Sequence, residues 1–538
     1  MKSAAFPDTS LALTLSRFAA AALFLMAALT TGCGSGGNSA GTPTFSGTTS
    51  MTVVLSSTAN DQLEEFGLVL QAIDLTSQSG TSVHLLSTPQ GAEFMTVNGG
   101  GIPLATVSIP QGIYTSASVT VGSAQFTCIT LDSSGGIDNS TYAYGQTPAS
   151  NVSVNFSSPI TVTGSVMGLS VDLQVLQSAS YPSTCYTSGT ASYSITPTFT
   201  VTPLTFSAVP TNSSNGKITG LRGQIGSKGT SGNSFALSLP IVNLTCPCIQ
   251  PSPLTILTNS NTVYQDIDGF SALSVGSLLD LDGIIQADGS VLATRVAAYD
   301  AAATDVMAGP LLFLDTTVPV FYTLGRQQNG QTLSVQPQSV GFYSLTGSTS
   351  FQISGQFSNV SSLPFAASFN GANMVAGQNI AVFSQAITDY YGGDHTAATT
   401  VTLMPQTIDG TITGSATIGG FTVYTVSLAP YDLFPTLATQ PGQTTLLTNP
   451  SEVQVYVDGN TQLMNTQALA MGKTLRFQGL VFNDSGTLRM DCAQVNDGVT
   501  FSTSSNPSSQ AEIGATWTLR RTGIGTLPQV TSSLTRSH

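Results

Sequence analysis

Acidic residues spaced to share a strand face are the first features of this chain that could do chemistry. Asp266 and Asp268, and again Asp280 and Asp282, stand two apart, so each pair projects to one side of an extended strand. Carboxylates so placed could give oxygens to Ca²⁺ or supply the acid pair of glycoside hydrolysis. Neither run completes a calcium loop. The plainer account is turn formation at Asp-Gly, with the carboxylates solvated on an outer face. Cys246-Pro-Cys248 is too tightly spaced for a paired zinc hook and has no His nearby, which leaves disulfide chemistry, with Cys492 as one candidate partner. The run Tyr390-Tyr391-Gly392-Gly393-Asp394-His395 gathers two aromatic rings, a carboxylate and an imidazole. It is the candidate recognition loop for a sugar or protein, beside the simpler reading of a long hairpin loop. Gly37-Asn38-Ser39-Ala40-Gly41 fits a nucleophile-elbow string but has no strand before it and no helix after it.

The elements that must position these groups follow from composition. Charged residues are 7% of 538, against ~25% in an ordinary soluble domain, and Ser plus Thr fill roughly a quarter of the chain, so hydroxyls take the solvent-facing role. Helix surfaces are normally built from Glu, Lys and Arg, whereas Ser, Thr, Val and Gly favour strands and turns, so the expected class is all-β. The 13 Lys plus Arg against 27 Asp plus Glu, net −14, cannot form the clustered basic surface that nucleic acid requires. Three His and one Trp leave little material for imidazole chemistry. We therefore expect no catalytic residue, no cofactor and no resident metal.

Lys2 and Arg17 precede an apolar run from Phe18 to Leu29, followed by Thr30-Thr31-Gly32-Cys33. The run is shorter than the ~20 residues of a membrane span and has the flanks of an export signal. The junction resembles the bacterial lipoprotein signal. That resemblance implies removal of residues 1–32, lipidation of Cys33 and, with Gly34 rather than Asp following, attachment to the outer membrane, on its periplasmic or surface face. Residues 33–50 then form a flexible tether. Export permits disulfides: Cys128 and Cys185 are the natural pair, while Cys246, Cys248 and Cys492 leave one thiol over.

Short alternating runs at Met51–Leu55, Phe66–Leu70, Ile113–Val121, Val152–Phe156 and Leu169–Leu173 predict a β-sandwich over 51–209, with a single helical turn at Asn60–Glu65. The opening strand, Val69-Leu70-Gln71-Ala72-Ile73-Asp74-Leu75, Pro103-Leu104 and Ile109-Pro110-Gln111-Gly112-Ile113-Tyr114 resemble an uncharacterised family of β-rich domains in bacterial envelope lipoproteins. A second pattern then recurs. Gly276–Val296, Gly377–Val401 and Gly472–Val495 each read as a Gly, an alternating strand, a polar turn and a second strand. With similar halves upstream they predict tandem units at 217–300, 305–405 and 406–499, strung like beads, and a linker and tail at 500–538. These units resemble an uncharacterised family of small OB-like β-barrels found in tandem in envelope proteins.

The expectation is a lipid-anchored envelope protein with a structural, adhesive or binding role toward a glycan or protein. The alternative is a carboxylate-dependent glycan-processing enzyme or a ligand carrier.

Overall fold

The computed structural model describes residues 45–496, apart from 59–62, 96, 98–100, 132–136, 146–149, 181–193, 205–215, 231–232, 240–251, 266, 300–303, 330, 333–339, 355–359, 386–394, 430–431, 438–445 and 465–468. The alternation of Met51, Val53 and Leu55 places them on the inner face of the Thr48–Thr58 strand, because side chains of a strand point to opposite faces with period two. This strand pairs antiparallel with Ile102–Pro110 and parallel with Val166–Gln174, which pairs with Phe199–Leu204. A second sheet is built on Leu63–Ser77 and Gly112–Leu131, paired along their length. Its inner residues Phe66, Leu68, Ile73, Val119 and Phe126 pack into one core with those of the first sheet. Phe66 stacks on Phe126 with ring centroids 6.1 Å apart. Leu63 already begins a strand, so the helical turn expected through Glu65 is replaced by sheet pairing with Cys128 and Thr127. The Pro-Gln-Gly-Ile-Tyr run turns the chain from one sheet to the other, and the buried Tyr114 hydroxyl closes that corner by donating to Pro110 O at 2.8 Å.

Three closed units follow. In the first, Lys217–Lys228, Ser234–Ser238, Leu254–Leu257, Leu278–Ile285 and Val291–Tyr299 pair in a circuit that Ile256↔Val291 closes. Val263–Gln265 adds in parallel to the last strand. Gln406–Ile418, Phe421–Leu428, Glu452–Val457, Thr474–Asp484 and Thr487–Asn496 repeat that circuit, closed by Val453↔Leu488, with Gln462–Met464 as the added strand. The middle unit has the same order, its last strand divided into Thr396–Ala397 and Thr400–Leu403 and closed through Tyr343↔Thr396. Closure removes the unpaired edges that would invite aggregation. The hairpins are set by local chemistry: Ser485 and Gly486 have φ of 54° and 94°, the pair of positive values that a two-residue hairpin turn needs.

The barrels are not beads on a string. The described residues from Gly47 to Asn496 form one compact unit, while only residues 45 and 46 are described of what precedes it. Side chains cross every pair of domains. Thr52 Oγ1 donates to Ala287 O at 2.9 Å, Arg326 Nη2 to Leu63 O at 3.2 Å and Arg476 Nη2 to Asp172 Oδ2 at 3.0 Å, tying the sandwich to the first, second and third barrels. Arg295 Nη2 meets Ser354 Oγ at 3.3 Å, Lys217 N meets Gln462 Oε1 at 2.9 Å, and Gln378 Nε2 meets Val481 O at 2.9 Å, joining the barrels to each other. The physical reason is burial of both strand faces. In Thr474–Asp484, Leu475, Phe477 and Val481 fill their own barrel, while Leu480 and Phe482 on the other face join the core of the middle one.

Candidate functional site

The outer barrel faces that meet at this junction carry the rare charges of the chain. The first and fourth strands of the barrels bring together Arg222↔Asp280, Ala308↔Ala381 and Asp409↔Arg476. Each first-strand member precedes a Gly (Gly223, Gly309, Gly410). One position of the repeat thus holds Arg and Asp, then two Ala, then Asp and Arg in exchanged order.

In the first barrel this position has grown into a buried network. Arg222 Nε donates to Asp280 Oδ2 at 2.9 Å, and Arg295 Nη2 donates to the other Asp280 oxygen. Arg295 Nε donates to Asp282 Oδ2 at 2.7 Å, and Gly220 N to Asp282 Oδ1 at 2.8 Å. Gly220 sits at a register shift between Ile218 and Leu221 with φ of 62°, a conformation that costs a residue with a Cβ about 1–2 kcal/mol. Burial raises both carboxyls, but Arg295 and Arg222 together more than offset it at Asp280, which lies below the ordinary carboxylate range. Asp282 has Arg295 alone among cations, and burial leaves it raised. Burial alone would lower the Arg295 guanidinium; the two aspartates hold it above its usual value.

The expectation of solvated outer-face carboxylates is therefore corrected for Asp280 and Asp282. They do share a face, opposite Leu279 and Leu281 of the barrel core, but that face is covered by the neighbouring barrel, and their oxygens are taken by guanidinium and backbone N–H instead of standing open to Ca²⁺. Asp268 is exposed and apart from them, and Asp266 lies outside the described residues. Among the described residues no group of three or more His, Cys, Asp or Glu converges to hold a metal.

Two cavities of about 80 and 120 Å³ adjoin at the junction, sharing Thr219, Gly220, Arg222, Gln327 and Gln478 in their linings. These residues come from all three barrels; Glu93 and Met95 of the sandwich complete the walls. Thr219 Oγ1, Arg222 Nη2, Gln327 Oε1 and Gln478 Oε1 are buried here with no hydrogen-bond partner among the described residues. Such atoms normally find partners, since an unmet buried polar group costs ~1–3 kcal/mol. A third cavity of about 200 Å³ lies between the first and second barrels, lined by Asp280, Arg295, Ser354 and Thr402.

Other expected site residues are dispersed. Cys33, Cys185, Cys246, Cys248, Tyr390, Tyr391 and Asp394 lie outside the described residues. Cys128 is in the long Gly112–Leu131 strand, opposite Leu63. Cys492 is a buried free thiol whose Sγ donates to Gln494 O at 3.3 Å; burial, with Asp491 adding, pushes the thiol far up. The His395 ring stacks on Tyr322 at 6.0 Å and meets the Phe342 ring edge-on at 6.4 Å, so it packs on the second barrel. Lys217, 1% exposed, donates its ammonium to Asn460 O, and burial lowers it to about 8 against the opposing pull of Asp458, Cys492 and Asp491.

Sequence reasoning missed Arg222, Arg295 and Arg476. Their signal was present for two of them: Arg295 and Arg476 stand between strand-forming neighbours, in Thr294-Arg295-Val296 and Leu475-Arg476-Phe477, in a chain with only 13 basic residues. A scarce cation inside an apolar strand points to a buried acid opposite.

Residues 249–297 match the model of a domain of unknown function, DUF5666. The matched stretch runs from the third strand of the first barrel through Arg295, and so includes Asp280 and Asp282. A solved structure, drosophila Unr CSD456, is similar over 53% of this chain and 98% of its own at 8% identity, with a TM-score of 0.12. No curated protein matches the chain. The β-rich, small-barrel character expected of the repeats agrees with the family match and with the strand pairing. No helix among the described residues is long and apolar enough to cross a membrane.

Proposed function

We propose that this is an exported, lipid-attached envelope protein that binds a small ligand where its sandwich and three barrels meet, and that it binds without catalysing. The observation that carries the reading is the convergence on one shared cavity wall of four buried polar atoms, on Thr219, Arg222, Gln327 and Gln478, that have no partner among the described residues. Pockets of this kind, mostly preformed and placed at domain interfaces, are where ligands settle. The glycan-processing alternative needs two acids flanking a reacting bond. In the three cavities described the acids are Glu93 and Asp280. Glu93 Oε1 already accepts from Phe66 N and Met95 N, and both Asp280 oxygens face arginines. Attachment rests on the Gly32-Cys33 junction.

A thermal-shift screen of small polar molecules against the purified chain tests the binding. At least one compound should raise the melting temperature saturably, and Gln478→Leu should weaken that effect; a screen in which no class of compound binds refutes the reading. For attachment, the mature N-terminal peptide should carry acyl mass at Cys33, and Cys33→Ser should release the protein from membranes.

A further inference from the structure

We propose that the ligand is a small organic carboxylate, its anionic end on Arg222 and its apolar end in the adjoining 80 Å³ cavity, an inference that rests on the binding reading above. Arg222 is 8% exposed. Its Nε is used by Asp280, yet its Nη2 has no partner among the described residues. A guanidinium stays protonated and can only donate, so the buried wall presents a charged donor that requires an acceptor. Asp280 and Asp282 together face Arg222 and Arg295, so what the wall offers a guest is the Nη2 donor of Arg222, which has no acceptor among the described residues.

The surroundings specify the sign and shape of that acceptor. The described lining of the 120 Å³ cavity contains Arg222 and Arg326 and no Asp or Glu, in a chain where acids outnumber bases 27 to 13. A lining whose charged groups are donors alone favours an anionic guest. The smaller cavity on the other side of Arg222 is walled mainly by apolar groups, among them Leu55, Ala92, Val97, Ile102 and Ile218. Its one described acid, Glu93, is held by two backbone N–H groups. Thr219, Gln327 and Gln478 also line both cavities: the Thr219 hydroxyl suits the second carboxylate oxygen, while the Gln327 and Gln478 Oε1 atoms accept and so suit a hydroxyl beside the carboxylate. A multiply charged phosphate would ask for several converging donors, and the backbone N–H of Gly220, which lines both cavities, is spent on Asp282. A monoanion with a short aliphatic body matches the Arg222 Nη2 donor beside an apolar hollow. The 80 Å³ hollow is smaller than the ~150 Å³ that accepts a ring the size of benzene, so it suits a short chain and excludes a ring.

Calorimetric titration and melting curves of the full chain at constant ionic strength test this, with butyrate, lactate, n-butanol and inorganic phosphate as probes. Butyrate or lactate should bind saturably and n-butanol should not. Arg222→Gln should weaken the carboxylate about tenfold or more. Gln478→Leu, outside the ion network, should weaken lactate, whose hydroxyl can donate to Gln478 Oε1, and serves if Arg222→Gln fails to fold. Butanol binding as well as butyrate, phosphate binding better than either carboxylate, or affinity unchanged in a folded Arg222→Gln would overturn the carboxylate while leaving a binding cavity in place. If none of the probes binds and the wider screen is also empty, both readings fall.

Discussion

Replacing Arg476 with Met would show whether the four β domains stand or fall together. Arg476 leaves the third barrel and enters the sandwich with 2% of its side chain exposed, donating to Asp172 Oδ2 at 3.0 Å and to Ser57 O. Methionine keeps much of the aliphatic bulk and deletes the charge. Asp172 would retain the Ser56 hydroxyl at 2.7 Å and the Gln174 amide at 2.5 Å, which places the loss near the lower end of the ~3–5 kcal/mol for a broken buried pair. The orphaned Ser57 carbonyl adds ~1 kcal/mol, so ~4 kcal/mol in total is expected. Urea unfolding followed by circular dichroism should show one transition for the parent chain, because each domain is bonded to the other three. In Arg476→Met the sandwich should melt at lower urea, splitting the curve. Adding Asp172→Leu should recover most of the loss, since an apolar pair can replace a buried ion pair at little cost. A loss under ~1 kcal/mol with a single unchanged midpoint, or strict additivity in the double variant, would refute this coupling.

Lys217 gives a pH signature. Its folded value near 8 lies below the usual 10.5, so the unfolded chain binds more protons above about 8, and stability should rise by ~1 kcal/mol per pH unit until, above about 9, the raised Cys492 thiol opposes it. Lys217→Met should abolish the rise in urea midpoints measured from pH 7.5 to 9; a rise that persists would assign it to another group. Cys492, buried with its thiol raised, should resist iodoacetamide in the native protein and react after urea, read by peptide mass spectrometry, and rapid native labelling would contradict its burial. Tyr114→Phe removes the hydroxyl bond to Pro110 and should cost ~1 kcal/mol in urea, without altering small-carboxylate binding measured by calorimetry.

Strand chemistry was legible because it is local. Alternation at Met51–Leu55 assigns an inner and an outer face before any partner is known, and Asp288-Gly289 supplies the polar, positive-φ turn that joins Leu278–Ile285 to Val291–Tyr299. The spacing of Asp280 and Asp282 likewise placed them on one face. What covers that face was not legible, because period two separates two sides of a strand without saying which meets water. Both sides of Leu278–Ile285 and most of Thr474–Asp484 are buried, so a pattern that reads as half-solvated is in fact half interface.

The sequence by itself determined an all-β chain with recurring strand and turn units, since composition and period act residue by residue. Only the tertiary structure decided that the recurring units fuse with the sandwich, that Arg222, Arg295 and Arg476 are buried cations, and that Thr219, Gln327 and Gln478 face one cavity. Those facts join residues such as Ser57 and Arg476, separated by 419 positions, and contacts over such distances arise from the packing of finished domains, for which no local spacing exists.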